Sequence, residues 1–157
     1  LEVLHLFKTL GIRPKRTIRA VMFMNEENGL RGGLKYAEEA KRLSEKHLAA
    51  IETDAGGFTP RGFDIDASNA VIGKIKSWEY LLKPYGLHEI DKGGSGSDIG
   101  PLKSPNVSLI GYRPDSQRYF DIHHAATDVF EAVNKRELEL GAASITALVY
   151  LIDQYGL

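Results

Sequence analysis

Two adjacent carboxylates, Glu26 and Glu27 in Asn25-Glu26-Glu27-Asn28-Gly29, follow a β-branched, apolar run over residues 17–24 and precede the glycines Gly32 and Gly33. Acids at the end of a buried strand are costly unless a positive charge neutralises them, and a metal ion is the charge that fits best. A second apolar segment, residues 48–51, leads into Asp54 within Glu52-Thr53-Asp54-Ala55-Gly56-Gly57, and a third region offers His123-His124-Ala125-Ala126-Thr127-Asp128. Carboxylates and an imidazole from separate loops form a zinc-type ligand set. Neighbouring residues in extended backbone point to opposite sides, so one glutamate can coordinate a cation while the other faces the substrate as a general base. Metal-bound water is acidified, and a nearby carboxylate can take its proton and pass it to a leaving amine. Amide hydrolysis needs both functions.

Each of these residues also has a plainer reading. Glu26 and Glu27 can form a solvated loop after a strand, and Asp54 before Ala55-Gly56-Gly57 can be a turn-former. His123 fits a structural role beside His124. Asp128, four residues after His124, can accept the second imidazole N–H or cap the following segment. Asp98, in Gly93-Gly94-Ser95-Gly96-Ser97-Asp98, can shape a loop or touch substrate. That glycine-rich stretch does not lie between a strand and the start of a helix, so it makes a poor phosphate cradle.

The chemistry needs a scaffold, and composition bounds it. The 157 residues, 43% hydrophobic and 26% charged, suffice for one domain with one sizeable core. A formal net charge of −1 with interspersed signs announces no polyanion-binding surface, which argues against a nucleic-acid partner. The run Arg13-Pro14-Lys15-Arg16 reads as a solvated loop. The chain has no cysteine, so disulfides, thiolate metal sites and cysteine nucleophiles are excluded, while the compartment stays open. It contains no run of the ~18 apolar residues that a membrane span needs. It opens on Leu-Glu-Val-Leu-His-Leu-Phe, the pattern of a helix interior, as expected of a piece of a longer precursor.

Helical and strand patterns alternate along the chain. Residues 1–10 place Leu4, Phe7 and Leu10 on one helical face, closed by Gly11. The strand at 17–24, an amphipathic helix over 30–47 carrying Leu34, Ala37 and Leu43, and a strand at 48–53 make a βαβ unit. An extended piece over 62–67 precedes Ser68, an N-cap for a helix with Val71, Ile72, Ile75 and Leu82 that ends at Pro84. Residues 106–112 read as another strand. In the last helix Asn134 and Glu137 resemble a capping box, and Leu138, Ala142, Ile145, Leu148, Val149 and Ile152 form the apolar stripe. Ligands in an open α/β sheet bind outside the carboxyl ends of strands, and the two acidic motifs sit at such ends.

At these residues the chain resembles the cocatalytic di-zinc aminopeptidases of the aminopeptidase Y and carboxypeptidase Q type. The resemblance is dense in Gly11-Ile12-Arg13-Pro14-Lys15-Arg16-Thr17-Ile18-Arg19 and Asn25-Glu26-Glu27-Asn28-Gly29. It continues through Glu52-Thr53-Asp54-Ala55-Gly56, Gly96-Ser97-Asp98-Ile99 and His124-Ala125-Ala126-Thr127-Asp128, nearly the whole chain. It implies an α/β fold, a mixed and mostly parallel sheet flanked by helices. It further implies Glu26 as general base, Glu27 as ligand of one zinc with His124 as its imidazole partner, Asp54 as ligand of the other zinc, and Ser97 and Asp98 on the substrate side. The implied activity is zinc-dependent exopeptidase action on short peptides, aminopeptidase preferred over dipeptidase or carboxypeptidase, in an extracellular or periplasmic location. Members also carry a ligating His and a metal-bridging Asp, in His-x-Asp and Asp-Asp-Gly segments that this chain lacks. His5, His47 and His88 lie in no such context. The expectation is therefore a C-terminal portion of a catalytic domain, residues 1–157, with two zincs in the intact enzyme and fewer or none here. Such a portion would carry an exposed sheet edge that invites self-association. Two other readings remain: a catalytically silent interaction module that keeps the ligand residues, and a single-zinc acyltransferase of the glutaminyl-cyclase kind.

Overall fold

Alternation of side chains along four short strands sets the architecture. The computed structural model describes residues 1–157. The strands are β1 (Ala49–Glu52), β2 (Pro60–Asp66), β3 (Glu89–Lys92) and β4 (Ser108–Pro114), hydrogen-bonded in the order β1-β4-β2-β3. The β1–β4 and β2–β3 pairs are parallel and the central β2–β4 pair is antiparallel, so the sheet is mixed and mostly parallel. The register Phe63↔Tyr112, Ile65↔Ile110 and Phe63↔Ile90 puts these five apolar side chains on one face. The opposite face carries Asp64, Glu89, Asp91 and Arg113, and Arg113 pairs with all three acids.

Helices α3 (Asn69–Lys76) and α6 (Lys135–Tyr155) cover the apolar face. Ile72, Ile75, Leu148, Leu151 and Ile152 close the core over Phe63, Ile65, Ile110 and Tyr112. Ser68 caps α3 as expected, its Oγ accepting from the Val71 N–H at 3.3 Å. The expected continuous helix to Pro84 is instead broken after Lys76. The Ser77 hydroxyl donates to the Lys74 carbonyl, and the chain resumes as α4 (Glu79–Leu82), which turns Trp78 and Leu82 into the core. Asn134 Oδ1 caps α6 through the Glu137 N–H at 3.1 Å, but the box is half made. The Glu137 carboxylate turns away to Thr59 and Arg118.

Strand β3 has no apolar alternation to announce it. Glu89-Ile90-Asp91-Lys92 is short and charged, the composition that protects an edge strand. At the other edge β1 is bare, pairing with β4 alone. The strand expected at 17–24 makes no ladder. Exposure alternates from Ala20 to Met24 with the period of a strand, yet residues 17–23 find no backbone hydrogen-bond partner, because no strand lies beside them. Helix α1 (Glu2–Thr9) buries Phe7, whereas Leu10 falls past its end and is exposed. Helix α2 (Arg31–Arg42) is shorter than expected and buries the small residues Gly33 and Ala40. Leu34 and Leu43 face solvent instead. Arg13-Pro14-Lys15-Arg16 is no free loop: the Lys15 and Arg16 N–H groups donate to the buried Asp153 carboxylate at 2.9–3.0 Å.

Tyr112 makes the core sensitive to alkali. Its hydroxyl donates to the Phe58 carbonyl at 3.4 Å, and burial, with the negative Glu137 nearby, pushes the phenol up to about 12. An unfolded tyrosine ionises near about 10. The folded state therefore holds this proton more tightly, a contribution complete below the unfolded value and lost as pH rises through the folded one. The urea midpoint should fall across that window, and fall less steeply in Tyr112→Phe. Equal slopes would show that this phenol does not set the alkaline limit.

Candidate functional site

Loop 25–30 is a tight connection between the end of the 17–24 segment and α2. Asn25 sits at φ 61°, in the left-handed region that asparagine tolerates better than most residues, and Leu30 sits at φ 57°. The Glu26 carbonyl accepts from the N–H groups of Gly29 (3.1 Å) and Leu30 (2.9 Å), and the Met24 carbonyl accepts from Gly32 (2.9 Å). These bonds hold both glutamates at the amino end of α2, where the helix dipole favours negative charge.

Glu27 and His124 meet although 97 positions apart. Oε1 of Glu27 lies 3.0 Å from Nε2 of His124, and both side chains are more than 60% exposed. His124 also has a left-handed backbone, φ 54°, just past the end of α5 (Tyr119–Ile122), and its ring lies 4.1 Å from that of His123 between centroids. Backbone conformations of this kind collect at ligand sites, where surrounding contacts hold them in place. His123 behaves differently: its ring stacks on Tyr119 at 4.6 Å between centroids. Asp128 makes no hydrogen bond to His124. Its N–H closes a turn onto the Ala125 carbonyl.

A second acidic group surrounds the carboxyl end of β1. At the end of β1 Glu52 is buried, and Asp54, two residues past the strand, is exposed. The buried Glu52 carboxylate accepts from the N–H groups of Ser97 (3.0 Å) and Ile99 (2.9 Å), pinning the glycine-rich loop. Gly96, at φ 129°, is needed there, because a Cβ would lie 2.3 Å from the Glu52 carboxyl carbon. Burial, and then the charges of Asp98 and Asp54, push Glu52 above the usual carboxylate range. Asp98 is raised by burial and by Asp54. Asp98 Oδ1 is buried and has no hydrogen-bond partner. Gly33 lets the two acidic regions approach, since a Cβ there would sit 2.5 Å from the Asp98 carbonyl oxygen.

Nothing in the spacing of Glu52 marks it out. Ser97 itself is exposed and takes part through its N–H. The donors present, carboxylate oxygen and imidazole nitrogen, suit zinc in kind. They fall short in number. Glu27 and His124 converge as a pair, Asp54 stays with Asp98 and Glu52, and no group of three or more His, Asp or Glu side chains closes around one point.

The sequence matches the family model described as peptidase family M28 over residues 1–149. Carboxypeptidase Q of Mus musculus is 31% identical over 151 residues, which is 96% of this chain and 32% of that protein. The Homo sapiens protein of the same name is 29% identical over the same shares. Among solved structures, a peptidase M28 precursor from Shewanella amazonensis SB2B is similar with a TM-score of 0.89 and 27% identity, covering 99% of this chain and 35% of that one. The chain thus spans about a third of the length of these relatives.

Proposed function

The chain belongs to peptidase family M28, and from that premise we propose that it supplies the general base and three metal-binding side chains of a zinc-dependent exopeptidase acting on short peptides. The observation that carries the reading is the meeting of Glu27 and His124 at 3.0 Å, the carboxylate and imidazole that the sequence singled out from distant loops. Glu27 and His124 are the donors to one zinc, and Asp54 is a donor to a second. Zinc, when bound, lowers the pKa of its water to roughly 7. Glu26, beside Glu27 on the same loop, takes the proton of the attacking water and returns it to the leaving amine. Ser97 and Asp98 border the substrate, held in place by Glu52. Support for a peptide substrate comes from the family and from the names of the carboxypeptidase Q relatives. An extracellular or periplasmic location rests on the same resemblance, and no helix is long and apolar enough to cross a membrane.

Zinc titration of the purified chain, followed by mass spectrometry, tests the ligand assignment. With two donors converging where a zinc site takes about four, fewer than two ions should bind, weakly and without peptidase turnover. His124→Ala should weaken that binding by about tenfold or more, since losing a direct ligand should cost at least what outer-shell losses do. His123→Ala should leave it unchanged. Two tightly bound zincs per chain with turnover, or metal loss from His123→Ala alone, would overturn the assignment. Zinc binding that is indifferent to both histidines would favour a silent module. Cyclisation of N-terminal glutamine substrates in place of peptide hydrolysis would identify the acyltransferase alternative.

A further inference from the structure

At the amino ends of β1 and β4, away from Asp54, the core is left open. A cavity of about 730 Å³ lies there, bordered by Leu48 before β1, Ser108 at the start of β4, Asp66 at the end of β2 and Ser68 before α3. That volume falls in the range of roughly 300–1,000 Å³ usual for sites that take small molecules. Leu48, Val71 and Leu157 form its apolar wall, each only partly buried against the core. The extended chain of β1 leads from Leu48 toward Asp54, which puts on the order of 20 Å between the two places at ~3.3 Å per residue. Ser108 shares a face of the sheet with Ile110 and Tyr112, is 6% exposed, and has a hydroxyl with no hydrogen-bond partner in the chain. A buried hydroxyl without a partner costs stability, and both of its capacities, donor and acceptor, stay free for a ligand. At the rim, Lys103 Nζ lies 2.6 Å from Asp66 Oδ2, while Asp66 Oδ1 accepts no hydrogen bond.

We propose that this cavity binds a free aliphatic α-amino acid of the leucine type, as its zwitterion. The charges at the rim dictate the form of the ligand. Lys103 and Asp66 sum to zero, so a lone anion or a lone cation meets as much repulsion as attraction. A zwitterion is different: its ammonium reaches the free Asp66 Oδ1 and its carboxylate reaches Lys103, which still has donors to spare, so that four charges alternate. The Ser108 hydroxyl supplies a further polar contact from within. The apolar wall dictates the side chain, since a branched aliphatic group covers Leu48, Val71 and Leu157 and removes their surface from water. What the ligand means to the protein rests on the exopeptidase reading. An amino acid is what an exopeptidase releases, and a cavity at the other end of the sheet takes up that product without occupying the place of the substrate.

Titration of L-leucine into the isotope-labelled chain, followed amide by amide by NMR, tests the site. Shifts should gather at residues 66–71, 103–108 and 157 and be absent at 26–27, 98 and 124. 4-Methylpentanoate, which lacks the ammonium, and 3-methylbutylamine, which lacks the carboxylate, should each bind about tenfold or more weakly, because each leaves one charged partner unmatched. Lys103→Gln and Asp66→Asn should lose leucine affinity to a similar extent with little change in the urea midpoint, since a pair at the rim contributes little to stability. Ser108→Ala should lose less, as one neutral hydrogen bond is at stake. No shifts at millimolar leucine, shifts centred on residues 26–27 and 124, equal binding of 4-methylpentanoate, or charge variants that bind leucine like the parent chain would each overturn the proposal. Zinc binding and peptide hydrolysis are measured separately. Their failure would remove the meaning of leucine as a product, while its binding is decided by the shifts alone.

Discussion

Glu26→Gln, made in the metal-loaded, full-length protein, is expected to lower turnover by about two to four orders of magnitude with zinc content unchanged. Glutamine keeps the shape and the hydrogen-bonding reach of the side chain but cannot take up a proton. The turn that holds residue 26 rests on its backbone carbonyl, bonded by Gly29 and Leu30, and survives the exchange. The expected loss is equivalent to about 3–5 kcal/mol at 1.36 kcal/mol per tenfold. That magnitude separates a proton-transfer role from a purely electrostatic one at the exposed rim, where a single ion pair contributes about 1 kcal/mol or less. Assays of kcat with parallel metal analysis decide the matter. Loss of zinc from this variant would exchange the roles of Glu26 and Glu27, and unchanged turnover would remove Glu26 from the chemistry.

The largest stability effect is expected at Phe63. Its side chain is fully buried at the centre of β2, between Ile90 of β3 and Tyr112 of β4, with the Tyr112 ring centroid 6.0 Å away. Phe63→Ala removes a ring that helices on one side and strands on the other cannot move to replace, and should cost about 3–5 kcal/mol. Against the ~5–15 kcal/mol typical of a domain, that is enough to leave a marginal fold largely open. Urea unfolding followed by tryptophan fluorescence measures it, since Trp78 belongs to the same core. A loss below about 1 kcal/mol would mean that the core collapses around the missing ring and leaves little cavity.

Much of the scaffold could be read from local pattern. Ser68 and Asn134 cap their helices because a short polar side chain before an apolar run has one favourable use for its oxygen, the orphan N–H groups of the first turn. Residues 62–67 and 106–112 lie close to β2 and β4 because alternation with β-branched residues fits a sheet with one face on a core. Edge strand β3 escaped notice because charge hides it. Leu34 and Leu43 were misplaced because helix periodicity names a face without naming its neighbour, and the face that α2 buries is the one small enough for Asp98 and Met24 to approach.

The sequence by itself determined the residue types of the candidate site and the loops that bear them: Glu26, Glu27, Asp54, Ser97 and Asp98, each within a few residues of a glycine, and His124 in a histidine pair. Local rules suffice for that, since chemistry and turn propensity are written within a few residues. The tertiary structure decided which of them meet. It paired Glu27 with His124, set Asp54 against Asp98, and turned Glu52 inward to hold the loop between them. It also decided that residues 17–23 have strand character without a strand neighbour. These outcomes depend on contacts between distant parts of the chain. A strand, unlike a helix, satisfies its backbone only through a partner whose position its own sequence does not encode.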